Sequence, residues 1–532
     1  MILKSDPRAV EKTLLIILSA VAVALNFWWQ GQDGFNLWDE GYLWYGAQQV
    51  IQGAVPIRDF MAYDPGRYYW AAAYFWLDGN TGIIDLRVAV ALFQIIGLYA
   101  GLWTLSRSLK NAPAKKAAYL CLAAVVLMTW MYPRHKIFDM SISLIIVASL
   151  TYLIQAPSKI RYFWLGIVVG MAAVFGRNHG VYGAFASLLA MGWLSISETK
   201  QSGVLKGGMT WVTGVLIGYL PVLAMCIFIP GYLGAFVDTI VFMLDQGNTN
   251  LPLPVPWPWT VGFGTAGLVI EARWFFIGLC FLLLIAFNAT TAAWAIRARL
   301  KCRFVSPALA AAVCAGIPYA HFAFARADLG HLAQGIYPTL IGMLVTTASW
   351  SSWRWKLGFS LVVCMLSVFI LAAWQPGVLA RTQPGWRSMQ VSDSTLTMDP
   401  STAEAVDLLR DLTRLYAVGR PVLVLPFWPG AYPLLDRQAP LWEIYALSPR
   451  SERFQREEIE RIKKANPGFA LVMNVAMDGR EELRFSNSHR LVDEYIKANF
   501  DAVADTPNPA YQIYSARSQG KRSAELPVIP SQ

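Results

Sequence analysis

Over its first 375 residues the chain alternates long apolar runs with short basic connections, and then changes to a mixed polar pattern. Apolar runs occupy 13–29, 88–106, 117–133, 137–155, 162–176, 180–197, 208–229, 274–296, 305–324, 332–350 and 357–374. Each approaches the length a helix needs to cross a hydrocarbon layer, so the pattern predicts about eleven transmembrane helices. The basic clusters test that count. Lys4/Arg8/Lys12, Arg107/Lys110/Lys115/Lys116, Lys159/Arg161, Lys200/Lys206, Arg297/Arg299/Lys301/Arg303 and Arg354/Lys356 all fall on one side when the spans alternate. Lys and Arg gather at cytoplasmic ends, which places the N-terminus in the cytoplasm and everything after Trp374 outside. The first run ends in Asn26-Phe-Trp-Trp rather than in small residues, so it reads as an uncleaved span.

From Gln375 the pattern is that of a water-soluble domain. STAEAVDLLRDLTRL and RSERFQREEIERIKKA have helical spacing, while PVLVLPFW, GFALVMNV and AYQIYSA read as strands. Alternating strands and helices predict a small α/β domain. The expected organisation is a transmembrane catalytic domain over 1–375 with a first external loop at 30–87. A periplasmic α/β domain follows over 376–517, then a disordered tail over 518–532. The fold class expected is therefore an α-helical polytopic membrane protein with a C-terminal extracytoplasmic α/β domain.

Composition agrees with this pattern. The 532 residues are 56% hydrophobic and 15% charged, with a mean hydropathy of +0.41, which excludes an ordinary soluble protein. A net charge of +10 would suggest nucleic acid, but the basic residues cluster at span ends, so no nucleic-acid partner is expected. The six cysteines lie in or beside apolar runs with no metal-binding spacing, so neither zinc nor a disulfide is expected. No Walker, GxSxG, HExxH or dinucleotide motif stands in a suitable setting.

Candidate chemistry concentrates outside the membrane. The stretch Trp38 to Tyr69, WDEGYLWYGAQQVIQGAVPIRDFMAYDPGRYY, is far longer and more acidic than a helix connection requires. Asp39 and Glu40 open a helix among Trp38, Tyr42, Trp44 and Tyr45, which would desolvate a carboxylate and raise its basicity. Such a group can take a proton from an attacking hydroxyl. Asp59 and Asp64 add two carboxylates, the second beside a Pro65-Gly66 turn. Together the four acids could orient an acceptor or hold a divalent cation. Arg58 and Arg67 could simply neutralise them.

Three outward connections carry basic residues against the positive-inside trend. They are YPRHKIFDM (Arg134, His135, Lys136), FGRNHGVYG (Arg177, His179) and FARADLGH (Arg326, His331). Charge on the disfavoured side calls for a use, and a lipid phosphate fits it. The competing explanation is local pairing with Asp139 and Asp328. Between the seventh and eighth spans, PGYLGAFVDTIVFMLDQGNTNLPLPVPWPWTVGFG is too rich in Pro and Trp to span; it reads as a membrane-surface loop or a lid over a lipid substrate.

The opening run DEGYLWYGAQQVIQGAVPIRDF, with Pro65-Gly66 beyond it, resembles the first external loop of GT-C glycosyltransferases. That superfamily includes protein O-mannosyltransferases, lipid A aminoarabinose transferases and bacterial lipopolysaccharide-core transferases. The stretch LVLPFWPGAYPLLDR resembles a segment of bacterial members. The resemblance implies an integral inner-membrane enzyme that transfers a sugar, with inversion, from a polyprenyl-phosphate donor to an envelope glycan, lipid or protein. Asp39 would be the base. This chain has Asp-Pro-Gly where the aminoarabinose transferases carry a Glu-Lys-Pro-type segment, which favours another bacterial envelope-glycan transferase. The rival readings are a polyprenyl-diphosphate oligosaccharide ligase or polymerase, which would not need the acidic loop, and a lipid or solute transporter, which would place its ionisable residues at mid-membrane.

Overall fold

A computed structural model describes residues 7–196, 202–247, 250–504, 506, 508 and 510–517. Lys4, Lys200 and the tail from Ser518 lie outside the described residues, as does the Arg8 side chain. By packing, the chain forms two units. The first runs to Gly31, takes in Asp64–Arg67 and continues over Arg87–Arg381. The second comprises Gln32–Tyr63, Tyr68–Leu86 and the chain from Thr382 onward.

The first unit is helical. Six described helices are long and apolar enough to cross a membrane: Ala9–Gln30, Ile83–Ser106, Arg134–Gln155, Leu268–Leu300, Pro307–Ala325 and Trp353–Trp374. The run expected at 208–229 is a bent pair, Gly203–Gly218 and Leu220–Phe228, with an angle of 53° between them, and would make a seventh span. Pro221 at the start of the second helix removes a backbone donor where the axis turns. Four other apolar runs form helices that are shorter or more polar: Pro113–Trp130, Lys159–Phe175, Arg177–Ser195 and Tyr337–Ala348. The Pro307–Ala325 helix packs against Ile137–Gln155, Arg177–Ser195, Leu268–Leu300 and Tyr337–Ala348, and its small residues Ala308 to Gly316 make it the buried axis of the unit.

The tightest crossing is dictated by glycine spacing. Gly166 and Gly170 face Gly214 and Gly218, each pair spaced i, i+4, so two backbones meet directly. A Cβ on Gly166 would lie 2.1 Å from the Trp211 carbonyl oxygen, and one on Gly214 would lie 2.2 Å from that of Phe163. Gly214→Leu should therefore force the helices apart and destabilise the protein by about 3 kcal/mol or more. Gly208→Ala, where a Cβ meets nothing within 4 Å, should leave the melting temperature in detergent unchanged.

The Pro- and Trp-rich segment holds no candidate span among the described residues. It contains one feature the pattern did not predict, a helix over Tyr232–Asp245, which ends before the prolines begin.

In the second unit a four-stranded sheet has the order β3-β4-β6-β5, with β3 (Leu423–Leu425) parallel to β4 (Phe469–Met473). Strands β6 (Tyr511–Ala516) and β5 (Phe500–Ala502) complete it in antiparallel register. The strands read as PVLVLPFW, GFALVMNV and AYQIYSA are thus β3, β4 and β6. A hairpin of β1 (Arg387–Val391) and β2 (Ser394–Met398) precedes the sheet. The two anticipated helices are Pro400–Tyr416, capped by the Asp399 carboxylate on Thr402 N, and Glu452–Ala465, capped by Ser451.

Most of the loop expected to be external, Gln32–Tyr63 and Tyr68–Leu86, belongs to this same unit. Gly34 N donates to Thr397 O at 2.7 Å, and Thr397 N donates to Gln32 O at 3.0 Å, extending the hairpin edge. A Cβ on Gly41 would lie 2.4 Å from the Gly430 backbone, so the acidic helix Asp39–Ile51 and the Trp428-Pro-Gly turn approach backbone to backbone. The C-terminal domain is the floor on which the acidic helix rests.

Candidate active site

Asp39 and Glu40 form the first turn of the Asp39–Ile51 helix, where carboxylates favour the positive end of the dipole. The Asn36 side-chain oxygen accepts from Asp39 N at 2.7 Å and from Trp38 N at 3.0 Å, fixing the entry to the helix. Asp39 is half-buried and accepts a hydrogen bond from the Tyr445 hydroxyl at 3.1 Å. Glu40 is buried. Beside them Tyr42 packs edge-on against Tyr63 at 4.8 Å between ring centroids and lies 5.3 Å from Tyr445. Burial pushes the Tyr42 hydroxyl well above its ordinary pKa, so this wall stays neutral. Of these three tyrosines, Tyr42 and Tyr63 belong to the loop and its helix, and Tyr445 comes from the C-terminal domain.

Asp59 serves its own loop. It pairs with Arg58 at 2.7 Å and accepts from Val55 N at 2.8 Å, and the Arg58 hydrogen bond holds its carboxyl below the usual range. Trp442 grips the same loop, donating through Nε1 to Ile57 O at 3.1 Å and accepting from Met61 N at 2.9 Å. Among the described residues no three His, Cys, Asp or Glu side chains gather as metal ligands.

Arg67, Arg177 and His179 of the first unit pair with two buried carboxylates, Asp64 and Asp139. Arg177 pairs with Asp64 at 2.8 Å, and its backbone N–H donates to the same carboxylate at 2.7 Å. Burial raises the Asp64 pKa, although Arg177 opposes it. Arg177 also donates to Thr239 at 3.0 Å and lies 5.3 Å from the Phe236 ring, so it touches the helix that follows the bent pair. Arg67 donates to Asp139 at 3.0 Å and to Phe175 O at 2.8 Å. His179 reaches the same Asp139 oxygen at 2.8 Å through Nε2, and its Nδ1 shares a hydrogen bond of 2.8 Å with the Tyr319 hydroxyl.

A second group lies at the end of the Pro307–Ala325 helix. Asp328 accepts from Arg326 at 2.9 Å and from His331 Nδ1 at 2.9 Å. His331 Nε2 also contacts the Asn250 side chain at 3.0 Å, and Arg326 donates to Leu251 O at 2.9 Å. The segment expected to be a surface loop or lid therefore touches two of the three basic connections expected to face outward. Arg134, His135 and Lys136 form one turn of 3-10 helix ahead of Ile137–Gln155, with Arg134 donating to Gln30 O at 2.8 Å.

Local pairing with Asp139 and Asp328 accordingly describes His179, Arg326 and His331 as they stand. Two participants carried no sequence signal. Tyr319 is one apolar-run tyrosine among several, and Thr239 sits inside a segment read as loop.

Burial alone would raise Asp328, but His331 and Arg326 outweigh it and hold the carboxyl at about 2. A depressed carboxyl adds stability above its unfolded value of about 3.9, and that stability is lost as pH falls through the folded value. Wild type should thus be more heat-stable than Asp328→Asn at pH 6, and the difference should vanish between about pH 4 and pH 2.

Helices long and apolar enough to cross a membrane, followed by a small sheet-containing unit, make this a multi-pass membrane protein. The fold is similar to that of ArnT from Cupriavidus metallidurans in the apo state, with a TM-score of 0.56 and 13% identity over 95% of this chain and 98% of that one. A weaker likeness, TM-score 0.47 at 11% identity over 96% of this chain and 75% of that one, is to the archaeal oligosaccharyltransferase AglB from Archaeoglobus fulgidus, in complex with an inhibitory peptide and a dolichol-phosphate. Another structure of the Archaeoglobus fulgidus oligosaccharyltransferase, tethered to an acceptor peptide, gives 0.46 at 10% identity over 95% and 74%. No family model and no curated protein matches the sequence. At 13% identity the likeness to ArnT is one of fold.

Proposed function

We propose that the protein is an inner-membrane glycosyltransferase that moves a sugar from a polyprenyl-phosphate donor to a hydroxyl of an envelope glycan, lipid or protein on the periplasmic face. The observation that carries this reading is Asp39, half-buried at a helix start among tyrosines in a chain with the ArnT fold. All eleven apolar runs would cross the membrane, with the N-terminus cytoplasmic and the second unit outside.

In the reaction, the Asp39 carboxylate takes the proton of the acceptor hydroxyl as its oxygen bonds to the anomeric carbon. The bond from that carbon to the phosphate oxygen breaks, and the polyprenyl phosphate leaves with the electron pair. One displacement inverts the anomeric centre. Glu40, Asp59 and Asp64 orient the acceptor; among the described residues they do not gather as metal ligands. Arg134, Lys136, Arg177 and Arg326, with His135, His179 and His331, take the donor phosphate and stabilise the charge it gains on leaving. The Tyr232–Asp245 helix and the segment after it, held to Arg177, Arg326 and His331, keep water from the lipid-linked sugar.

Purified protein in proteoliposomes, offered radiolabelled sugars on undecaprenyl monophosphate with an envelope lipid and glycan extract, tests the reading. Release of the sugar into an acceptor is expected. No turnover of any monophosphate donor, with turnover of a diphosphate-linked glycan, would replace the reading by the ligase.

A further inference from the structure

The Asp39 carboxylate is held from a part of the chain 406 residues away. Tyr445 lies in the segment Trp442–Tyr445, between β3 and the Glu452–Ala465 helix, and that short stretch is fastened with unusual thoroughness. The Glu458 carboxylate accepts from both Trp442 N, at 2.9 Å, and Glu443 N, at 3.1 Å. The Glu443 side chain, itself 3% exposed, is clamped by Arg450 at 2.6 Å and His489 at 2.9 Å. His489 is fixed in turn by the Ser488 hydroxyl at 3.0 Å and by a ring stacked on Phe485 at 5.1 Å.

Two buried carboxylates, an arginine and a histidine are costly to assemble in an interior. They stabilise the protein less than apolar packing would, so their value lies in geometry: they leave the segment one position. In that position Trp442 holds the loop at Ile57 and Met61, and Tyr445 donates to Asp39. The acidic helix is also anchored to the chain just before that segment, by the Gly41–Gly430 approach and by Ala439 N donating to the Tyr45 hydroxyl at 3.1 Å.

We propose that Tyr445 is a positioning residue for the transfer, orienting the Asp39 carboxylate, and that the Glu443–Arg450–His489–Glu458 cluster is the fixture that holds Tyr445 in place. This rests on Asp39 being the base. The C-terminal domain thereby becomes part of the catalytic apparatus. The donated hydrogen bond sets the plane of the carboxylate and favours its charged form. The other groups around that helix turn are Glu40 on the same helix, the hydroxyls of Tyr42, Tyr63 and Tyr68, and Glu443 beyond Tyr445.

Tyr445→Phe keeps the ring contact with Tyr42 and removes only the donor. A hydrogen bond to a charged group has a net effect of roughly ten- to a hundredfold. The variant should lose about that much kcat with little change in KM, and the acidic limb of its rate profile should move to higher pH. Arg453→Ala, at an exposed surface position, should match wild type. A second readout needs no substrate. In protein carrying carboxyl-labelled aspartate, the Asp39 resonance, assigned by its absence in Asp39→Asn, should titrate at higher pH in Tyr445→Phe than in wild type. An unmoved titration, or a loss of activity with an unmoved pH profile, overturns the proposal. If Asp39→Asn keeps full activity, it is the assignment of the base that fails; if Asp39→Asn is inactive and Tyr445→Phe is normal, the positioning role alone fails.

Discussion

Asp39→Asn should reduce sugar transfer by roughly a hundred- to ten-thousandfold, the usual contribution of a positioned general base. The amide preserves shape and can still accept from the Tyr445 hydroxyl at the position Oδ1 now holds, so the helix start and the aromatic wall should persist. What it cannot do is take a proton. The loss should fall on kcat with donor binding retained, because the residues proposed for the donor phosphate do not include Asp39. Transfer rate and lipid-donor binding measured on the same preparation separate the two. Full activity in Asp39→Asn would remove Asp39 from the mechanism and shift attention to Asp64, whose carboxyl burial pushes up.

The second large effect is on stability. Arg67→Ala should destabilise the protein by about 3–5 kcal/mol, because it strands a buried partner. Arg67 and Asp139 have side chains only 6% and 5% exposed, so water cannot replace the lost guanidinium. The damage would spread: Asp139 also orients His179, and Arg67 donates twice to the Phe175 carbonyl at the end of its helix. Arg67→Lys should recover only part, since one ammonium cannot reproduce the guanidinium fork to Asp139 and Phe175 O together. Arg67→Ala with Asp139→Asn should be milder than Arg67→Ala alone, because the uncompensated charge is gone. Melting in detergent reads all three, and a neutral Arg67→Ala would show that the pair is not the keystone described.

These two predictions differ in how far the sequence led to them. Asp39 stood out locally, as an acid pair at a helix start flanked by aromatics. The apolar periodicity likewise pointed to the helices, and the β3, β4 and β6 segments had apolar runs bounded by turn residues. The structure adds what sequence distance hides. Asp64 meets Arg177 across 113 positions, Arg67 meets Phe175 across 108, and Tyr445 meets Asp39 across 406. No local pattern encodes such pairings, because they follow from how the elements pack. The loop and the domain read as separate from one another share a unit for the same reason: Gly41 and Gly430 look like ordinary turn-forming glycines until their backbones are seen to touch. The glycines at 166, 170, 214 and 218 were an exception that spacing alone could have revealed. The bend between Gly218 and Leu220, by contrast, fell inside an uninterrupted apolar run, where hydropathy is blind to direction.

The outward arginines and histidines changed character most. Their recurrence suggested a phosphate, and the structure gives Arg177, His179, Arg326 and His331 carboxylate partners. A network of this kind is compatible with a donor site in which an anion joins charges already balanced, and it explains why such residues can be buried without ligand. Arg177 and Arg326 also contact the segment after the bent pair, so the residues assigned to the phosphate are those that would sense its closure.

The central claim is a single displacement with Asp39 as base, and the stereochemistry of one turnover tests it most directly. Proton NMR of the product formed from an undecaprenyl-phosphate sugar of known anomeric configuration would read the coupling at the transferred anomeric centre. The account predicts the inverted anomer from wild type and none from Asp39→Asn. A retained anomer would mean two displacements through a covalent intermediate and would contradict it.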